Sequence, residues 1–436
     1  GEGERVLVEV VRDILASSTI RPQPGLCYRP NGASVVIPME TRPQLSIDEV
    51  PQPTYDEYFS RLERSALRAE LLPEVAILFE SSRGCWWGAK QHCTFCGLNN
   101  ATMAFRSKPA ARVADEILDL AERYKVLSFV AVDDIIDLTH IRDLLPMLSY
   151  AGCDLSIFYE TKANLKKEQL RAMYSAGVTA IQPGIESLST PILQLMRKGV
   201  TALQNIRLLK WCAEFGIVPA WNLLYGFPGE PQEEYERMCD LVPSLVHLEA
   251  PNISPIQLQR FSPYFERAAE FGLKIMGPLQ QYKHLYQISS EALWNLAYDF
   301  DHSYSDGRDP QSYTENIVGA IQQWRESSSK AFGTLAYFRG PGFIIVQDRR
   351  PGLDPNDYRF DGPEAKIYLG CDAGATPEEL EKQLAIDAEE DLSSDEIREF
   401  LEEVVNARLM YREGNRYLSL ATAASGSSSR TLRIAS

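Results

Sequence analysis

Six short apolar, β-rich runs fall at residues 75–80, 126–132, 154–159, 178–182, 217–225 and 251–258, with amphipathic helical patterns between them. No other feature restricts the fold as much. Strands alternating with helices form right-handed β–α–β units, which build a parallel sheet covered by helices. Eight units close a barrel, so six predict an open, partial one. The helical patterns lie at 109–124, where Val113, Ile117, Ala121 and Tyr124 share a face behind Pro109, and at 139–150, 167–176 and 203–215. Chemistry in such folds sits at the C-terminal ends of the strands.

The first run leads into Arg83-Gly84-Cys85-Trp86-Trp87-Gly88-Ala89-Lys90-Gln91-His92-Cys93-Thr94-Phe95-Cys96-Gly97, with cysteines spaced C-x7-C-x2-C. Thiolates are soft ligands that suit iron–sulfur clusters and zinc. Four would close a cubane cluster or a tetrahedral zinc site. Three leave one metal position open, where chemistry can occur. A structural zinc knuckle completed by His92 is the other reading of this loop.

Charged and polar residues collect where the next strands end: Asp133 and Asp134 after the second, Glu160 and Lys162 after the third, Gln182 and Glu186 after the fourth, and Gly226 to Glu230 after the fifth. Singly, each could be a helix cap or a structural ion pair. Four strand ends in register around one rim predict a site for a polar, zwitterionic ligand.

The 436 residues carry a net charge of −16, which argues against a nucleic-acid partner, since such partners require a basic surface. Residues 378–403 hold twelve acids against two bases, read either as a solvated helix face or as a docking surface for a basic peptide. No apolar run reaches the roughly 18 residues of a membrane helix. The eight cysteines show no disulfide-framework spacing and no signal peptide is visible, so a cytoplasmic location is expected. Cys27, Cys153, Cys212, Cys239 and Cys371 are read as structural thiols.

The cysteine loop, with Phe95 before its last cysteine, resembles the cluster loop of the radical SAM superfamily, although the first interval there is usually three residues. Three further stretches sharpen the resemblance: Gly184-Ile185-Glu186-Ser187-Leu188-Ser189, Met196-Arg197-Lys198-Gly199-Val200-Thr201, and Trp221-Asn222-Leu223-Leu224-Tyr225-Gly226-Phe227-Pro228-Gly229-Glu230. Together they are similar to the cobalamin-associated branch. Phe158-Tyr159-Glu160-Thr161-Lys162-Ala163-Asn164-Leu165 and Arg260-Phe261-Ser262-Pro263-Tyr264-Phe265 narrow the likeness to maturation proteins of ribosomally made, post-translationally modified peptides. The resemblance spans about residues 20–420.

It implies a 4Fe-4S cluster on Cys85, Cys93 and Cys96, and S-adenosylmethionine held by a shell drawn from Phe95, Asp133, Asp134, Glu160, Lys162, Gln182 and Glu186, with Gly226 and Gly229 allowing close backbone approach. The Gly-Gly-Glu that follows the second strand in the superfamily is absent, and the Asp133-Asp134 pair fits the cobalamin-linked branch instead. Reductive cleavage of S-adenosylmethionine would yield a 5′-deoxyadenosyl radical that takes hydrogen from an unactivated carbon. Expected partners are a ribosomal precursor peptide and an electron donor such as flavodoxin or ferredoxin. With cobalamin, the outcome would be C-methylation. Without it, epimerisation would need a thiol hydrogen donor, for which Cys371, Cys212 and Cys153 are candidates; backbone excision is a further cobalamin-free outcome. A zinc-stabilised, non-catalytic scaffold that docks a leader peptide is the reading from another class.

Four units are expected. Residues 1–68 would be a remnant of a cobalamin-binding domain plus a Pro-rich connector, because Gly1-Glu2-Gly3-Glu4 resembles the phrase that closes that domain; a coincidental acidic turn is the alternative. Within them, 56–67 is read as a helix leading into the barrel. Residues 69–345 would be the barrel with an extension rich in aromatics, mostly core, some lining a peptide groove. Residues 346–422 read as a small winged-helix-like α+β domain, with a Ser393/Glu396 capping box, helical spacing at Ile397, Phe400, Leu401 and Val404, and a hairpin about Glu413-Gly414-Asn415. Residues 423–436 are expected to be disordered.

Overall fold

Six parallel strands follow one another around an open barrel: β1 (Ile77–Phe79), β2 (Ser128–Ala131), β3 (Ser156–Glu160), β4 (Val178–Gln182), β5 (Asn222–Tyr225) and β6 (Asn252–Pro255). Neighbours pair in chain order from β1 to β4. The short strand Val218–Pro219 pairs with β4, a bridge from Glu186 to Leu223 carries the sheet on, and β5 pairs with β6. Five lie within the runs read as strands and β3 extends one residue past its run, to Glu160; the protein is α/β overall, with the partial-barrel architecture expected. The computed structural model describes residues 2–17, 20–29, 35, 44–98, 103–330, 334–386 and 392–424. Most of the Pro-rich connector around Pro43, and all but the start of the terminal segment from 423, lie outside the described residues.

Helix α1 (Glu4–Ser17) precedes the barrel, and 56–67 is a shorter helix than expected, Asp56–Glu63. The covering helices are α2 (Ala110–Tyr124), α3 (Leu138–Asp143), α4 (Leu145–Tyr150), α5 (Lys167–Ser175), α6 (Ala202–Phe215) and α7 (Glu233–Leu245). Val113, Ile117 and Leu120 are the buried stripe of α2, and Pro109 is its N-cap rather than its first turn. The single helix expected at 139–150 is two, because Pro146 sits at the start of α4 and cannot donate to the turn before it. Thr201 and Gln204 form a capping box at the start of α6, and Gly216, at φ +71°, ends it.

Beyond β6, strands β7 (Leu258–Gln259), β8 (Leu273–Pro278) and β9 (Asp299–Tyr304) form an antiparallel sheet in the order β7-β9-β8. A long helix, α8 (Pro310–Lys330), leads to the C-terminal unit. This unit begins with β10 (Leu335–Gly340), β11 (Phe343–Asp348) and β12 (Asn356–Asp361), which pair antiparallel in sequence. The boundary expected at 346 therefore falls inside β11. Gly340-Pro341-Gly342 between two β-rich runs is the hairpin signal that joins β10 to β11. Three helices follow, α9 (Gly362–Gly370), α10 (Pro377–Ile386) and α11 (Ser394–Asn406). The hairpin of β13 (Met410–Glu413) and β14 (Arg416–Ser419) comes next, and β15 (Thr422–Ala423) returns to pair with β10. The capping box is present: Ser393 Oγ accepts from the Glu396 amide at 3.3 Å, and Glu396 accepts from the Ser393 amide at 2.9 Å.

Helix α6 is buried on both sides, between the barrel and the C-terminal unit. Ile206, Leu208, Leu209, Lys210, Trp211 and Cys212 are all buried. A helix apolar all round belongs in an interior. Its one buried cation is Lys210, whose side chain has 0% exposure and whose Nζ donates to Asp372 Oδ1 at 2.8 Å, to the Asp372 carbonyl at 2.9 Å and to the Ser419 carbonyl at 2.9 Å. Lys167 and Trp211 donate to the other oxygen of Asp372 at 3.0 and 3.3 Å. Removing one member of a buried, hydrogen-bonded ion pair leaves the other uncompensated. Lys210→Ala is expected to cost about 3–5 kcal/mol of stability, measured as a lower denaturant midpoint of the whole chain, whereas the exposed Arg359→Ala should fall within about 0.5 kcal/mol of the parent.

Candidate active site

The cysteine loop is shaped by backbone contacts that a generic sequence could not make. Gly84, at φ +79°, lies so close to the chain at Ala104 that a Cβ would sit 2.5 Å from its carbonyl oxygen. Cys85 N-caps a short helix, Trp86–Lys90, and its Sγ accepts from the Gly88 amide at 3.3 Å. That inserted helix explains the seven-residue interval before Cys93. The Cys93–Cys96 turn is closed by the Cys96 amide on the Cys93 carbonyl at 3.2 Å. His92 Nε2 is engaged with the Cys96 carbonyl at 2.8 Å.

A second segment, 195–199, backs the loop. Thr94 donates from its amide to the Met196 carbonyl at 3.1 Å and from Oγ1 to the Leu195 carbonyl at 3.0 Å. Trp87 Nε1 donates to the Arg197 carbonyl at 3.1 Å, and Lys162 Nζ to the Gly199 carbonyl at 3.0 Å. Arg197 and Gly199 take φ of +57° and +61°, which lets this strap reverse direction twice. A Cβ on Gly199 would lie 2.2 Å from the Trp87 ring.

The loop and the strand ends enclose a cavity of about 320 Å³. Cys85, Cys93, Cys96 and Phe95 line it from the loop; Asp134, Glu160, Lys162, Gln182 and Glu186 line it from β2, β3 and β4. These nine are the expected residues that the fold brings together. Three are not brought in. Asp133 is turned away into the interior, where it accepts from the Ser81 amide and from Ser82 Oγ, both at 2.8 Å, and from Ser81 Oγ. It ties the end of β1 to the end of β2. Gly226 and Gly229 lie outside the cavity lining. They shape the turn after β5, in which the Gly226 and Phe227 amides donate to the buried Glu230 carboxylate at 2.9 and 2.7 Å. That turn sets Phe227 edge-on against Phe95, with ring centroids 5.8 Å apart.

Several lining residues were not foreseen: Trp87, Thr161, Lys198, Asn222 and Gln259. Asn222 begins β5, so its position at a strand start gave no warning. Lys198 lay in a stretch quoted for resemblance, yet only the return of the strap takes it to the cavity. There its Nζ is 3.5 Å from Glu186 Oε1 and 5.9 Å from the centre of the Phe95 ring. Glu186 itself takes φ +59°, uncommon for a non-glycine residue and typical of functional sites.

Burial, then the neighbouring Asp134 and Glu186, pushes the Glu160 carboxyl up to about 7. Burial, then Lys198, brings the Lys162 ammonium down to about 8. Burial also opposes charge on Lys198, but Glu186, Cys93 and Cys96 outweigh it and raise its pKa. The Cys85 thiol is pushed up by burial, and Cys96 by burial to about 11, so metal binding there must displace protons.

The donor set fits a cluster better than a single ion. Three thiols open on one cavity, yet among the described residues no three His, Cys, Asp or Glu converge on one point. In a cubane cluster each thiolate meets a different iron. His92 Nε2 is engaged with the Cys96 carbonyl, which leaves only Nδ1 as a nitrogen for a metal. The buried Thr161 Oγ1 in the cavity wall has no protein partner, as suits a group that meets a ligand. Cys153 is exposed, Cys212 and Cys371 are buried, and none of the three lines the cavity, so the epimerisation reading has no thiol donor there.

Residues 79–242 match the family profile described as the radical SAM superfamily, and they form a radical SAM domain, the class that implies a 4Fe-4S cluster and S-adenosylmethionine. The chain is 30% identical over 241 residues to an uncharacterized methyltransferase of Pyrococcus horikoshii, covering 54% of this chain and 50% of that protein. It is 25% identical over 177 residues to the hopanoid C-3 methylase of Methylococcus capsulatus, covering 39% of this chain and 33% of that one. The matches thus span half or less of these relatives. Among solved structures, the fold is similar to the radical S-adenosylmethionine methyltransferase TsrM of Kitasatospora setae (TM-score 0.54, 17% identity, 78% of this chain and 69% of that one). It is also similar to the cobalamin-dependent S-adenosylmethionine radical enzyme OxsB (TM-score 0.50, 18% identity, 75% of this chain and 50% of that one). Among the described residues no helix is long and apolar enough to cross a membrane.

Because Glu160 titrates near 7 in the folded chain and near 4.5 when free, the folded state binds more protons between these values. Its contribution to stability is therefore present below about 4.5 and lost as pH rises to about 7. Thermal unfolding of metal-free protein should show Glu160→Gln matching the parent near pH 4.5 and exceeding it above pH 7. Equal unfolding temperatures at both ends would show that Glu160 is not held in this environment.

Proposed function

We propose that the chain is the radical-generating part of a cobalamin-dependent C-methyltransferase acting on a ribosomally made precursor peptide. The observation that carries this reading is a single cavity with three open thiols on one wall and two lysines among carboxylates on the others. Cys85, Cys93 and Cys96 would hold a 4Fe-4S cluster, which would supply reductive radical chemistry toward S-adenosylmethionine.

The remaining work belongs to the protein's own side chains. Asp134, Glu160 and Glu186 offer acceptors for an ammonium and for ribose hydroxyls. Lys162 and Lys198 offer cations for a carboxylate. Phe95, held by Phe227, presents a flat apolar wall suited to an adenine ring. Leu98, Met103 and Leu224 line the rest and limit water. Asp133 positions Asp134 by fixing the end of β2.

Methyl transfer is supported by the relative named a methyltransferase and by the one named a methylase. The peptide substrate rests on the resemblance of residues 158–165 and 260–265. The net charge of −16 disfavours a nucleic acid. The cobalamin part of the reading rests on the resemblance of Asp133-Asp134 and of residues 184–189, 196–201 and 221–230. In this chain Glu2 accepts from the Leu45 amide at 2.7 Å and pairs with Arg106, while Glu4 pairs with Arg83 at 2.6 Å, two residues before Cys85. These contacts tie the start of the chain beside the cysteine loop. The C-terminal unit is assigned to docking the peptide, and a flavodoxin or ferredoxin to electron supply.

Anaerobic reconstitution with iron and sulfide tests the reading. The parent should bind iron with acid-labile sulfide and give an EPR signal, after reduction, that S-adenosylmethionine alters. Cys85→Ala, Cys93→Ala and Cys96→Ala should each lose most of the iron and the signal. A colourless protein that retains stoichiometric zinc would overturn the assignment. With S-adenosylmethionine and dithionite the chain alone should form 5′-deoxyadenosine without methyl transfer, and robust transfer without cobalamin would remove the cobalamin part.

A further inference from the structure

Two lysines, Lys162 and Lys198, line the same cavity as Cys85, Cys93 and Cys96. Lys162, 7% exposed, follows β3 and lies over the Trp87 ring with Nζ 4.1 Å from its centroid, fixed by the 3.0 Å bond to the Gly199 carbonyl. Its charge acts on Cys93 and Cys85. Lys198, its side chain 13% exposed, comes from the strap and acts on Cys93 and Cys96. Each thiol is thus within the field of at least one ammonium, and Cys93 of both. The like charges of the lysines also repel each other.

Placing two cations together in a half-buried site is unfavourable unless negative charge is gathered there. Glu186 answers only part of it, at 3.5 Å from Lys198, and Lys162 has no carboxylate partner among the ion pairs of the described residues. Three thiolates would supply the rest. One-electron reduction of a bound cluster adds a further negative charge without a proton, and net charge and hydrogen bonding around a cluster set its potential. Cations held at low dielectric favour the reduced state. Asp134, which faces Cys85, acts in the opposite sense.

We propose that Lys162 and Lys198 form a cationic clamp that raises the reduction potential of a cluster held by Cys85, Cys93 and Cys96. The clamp rests on the cluster reading above. It makes the two lysines positioning residues for electron entry, independent of any contact they make with a cosubstrate.

The test is an EPR-monitored dithionite titration of the reconstituted whole chain without S-adenosylmethionine. Lys198→Gln and Lys162→Gln should each disfavour reduction about tenfold, a midpoint about 59 mV more negative for one electron, at unchanged iron and sulfide content. Lys198→Arg should stay near the parent. Glu186→Gln, which removes an opposing charge, should move the midpoint the other way, and so keeps the idea testable if a lysine variant assembles poorly. A parent that takes up no iron removes the cluster reading and the clamp with it. A parent with a cluster, and variants whose midpoints do not move or move with the wrong sign, removes the clamp alone.

Discussion

The geometry of the cavity depends on the strap at 195–199, which hydrogen-bonds the cysteine loop at Thr94 and Trp87 and the end of β3 at Lys162. A loop of this length is entropically free to take many shapes. Three bonds from the loop to one short segment, itself locked by left-handed residues at Arg197 and Gly199, remove that freedom. Three cysteines from a surface loop can then face fixed carboxylates from three strands. Asp133 does the same on the other side by joining the ends of β1 and β2.

Strand, helix and loop thus share the work unequally. The barrel supplies the direction in which side chains point, the strap supplies the loop's shape, and the Glu230 cluster under Gly226 and Phe227 supports the aromatic contact behind Cys96. The C-terminal unit takes no part in the cavity lining. It is joined to the barrel through α6 by a buried polar network centred on Asp372. A second tie runs through Glu413, which accepts from Thr190 Oγ1 and from the Leu203 amide on either side of the strap.

Much of this was legible in the sequence. The strands could be read because parallel strands buried on both faces leave continuous apolar runs. The cysteines could be read because three soft ligands share one short loop directly after a strand. Asp133 and Asp134 could not be told apart: successive residues at a strand end point in opposite directions, and only the fold says which way is inward. Gly226 and Gly229 announced a turn but not its distance from the cavity. Lys198 required a segment 101 residues beyond Thr94 to come back against the loop. The C-terminal boundary was misplaced although Gly340-Pro341-Gly342 was visible, because the aromatic-rich stretch around it was read as an extension of the barrel.

The helix between Cys85 and Cys93 carries a consequence for how such loops can be exchanged. It is that helix which delivers the Trp87 ring to the cavity, and the ring is what Lys162 lies on. In this loop the surface comes from the Trp86–Lys90 helix, which the long interval accommodates. Trp87 in turn occupies the space that the absent side chain of Gly199 leaves open. Interval length, tryptophan, lysine and glycine therefore constitute one transplantable part drawn from three places in the chain. Lineages that lengthen or shorten the first interval should be found to replace the other three together.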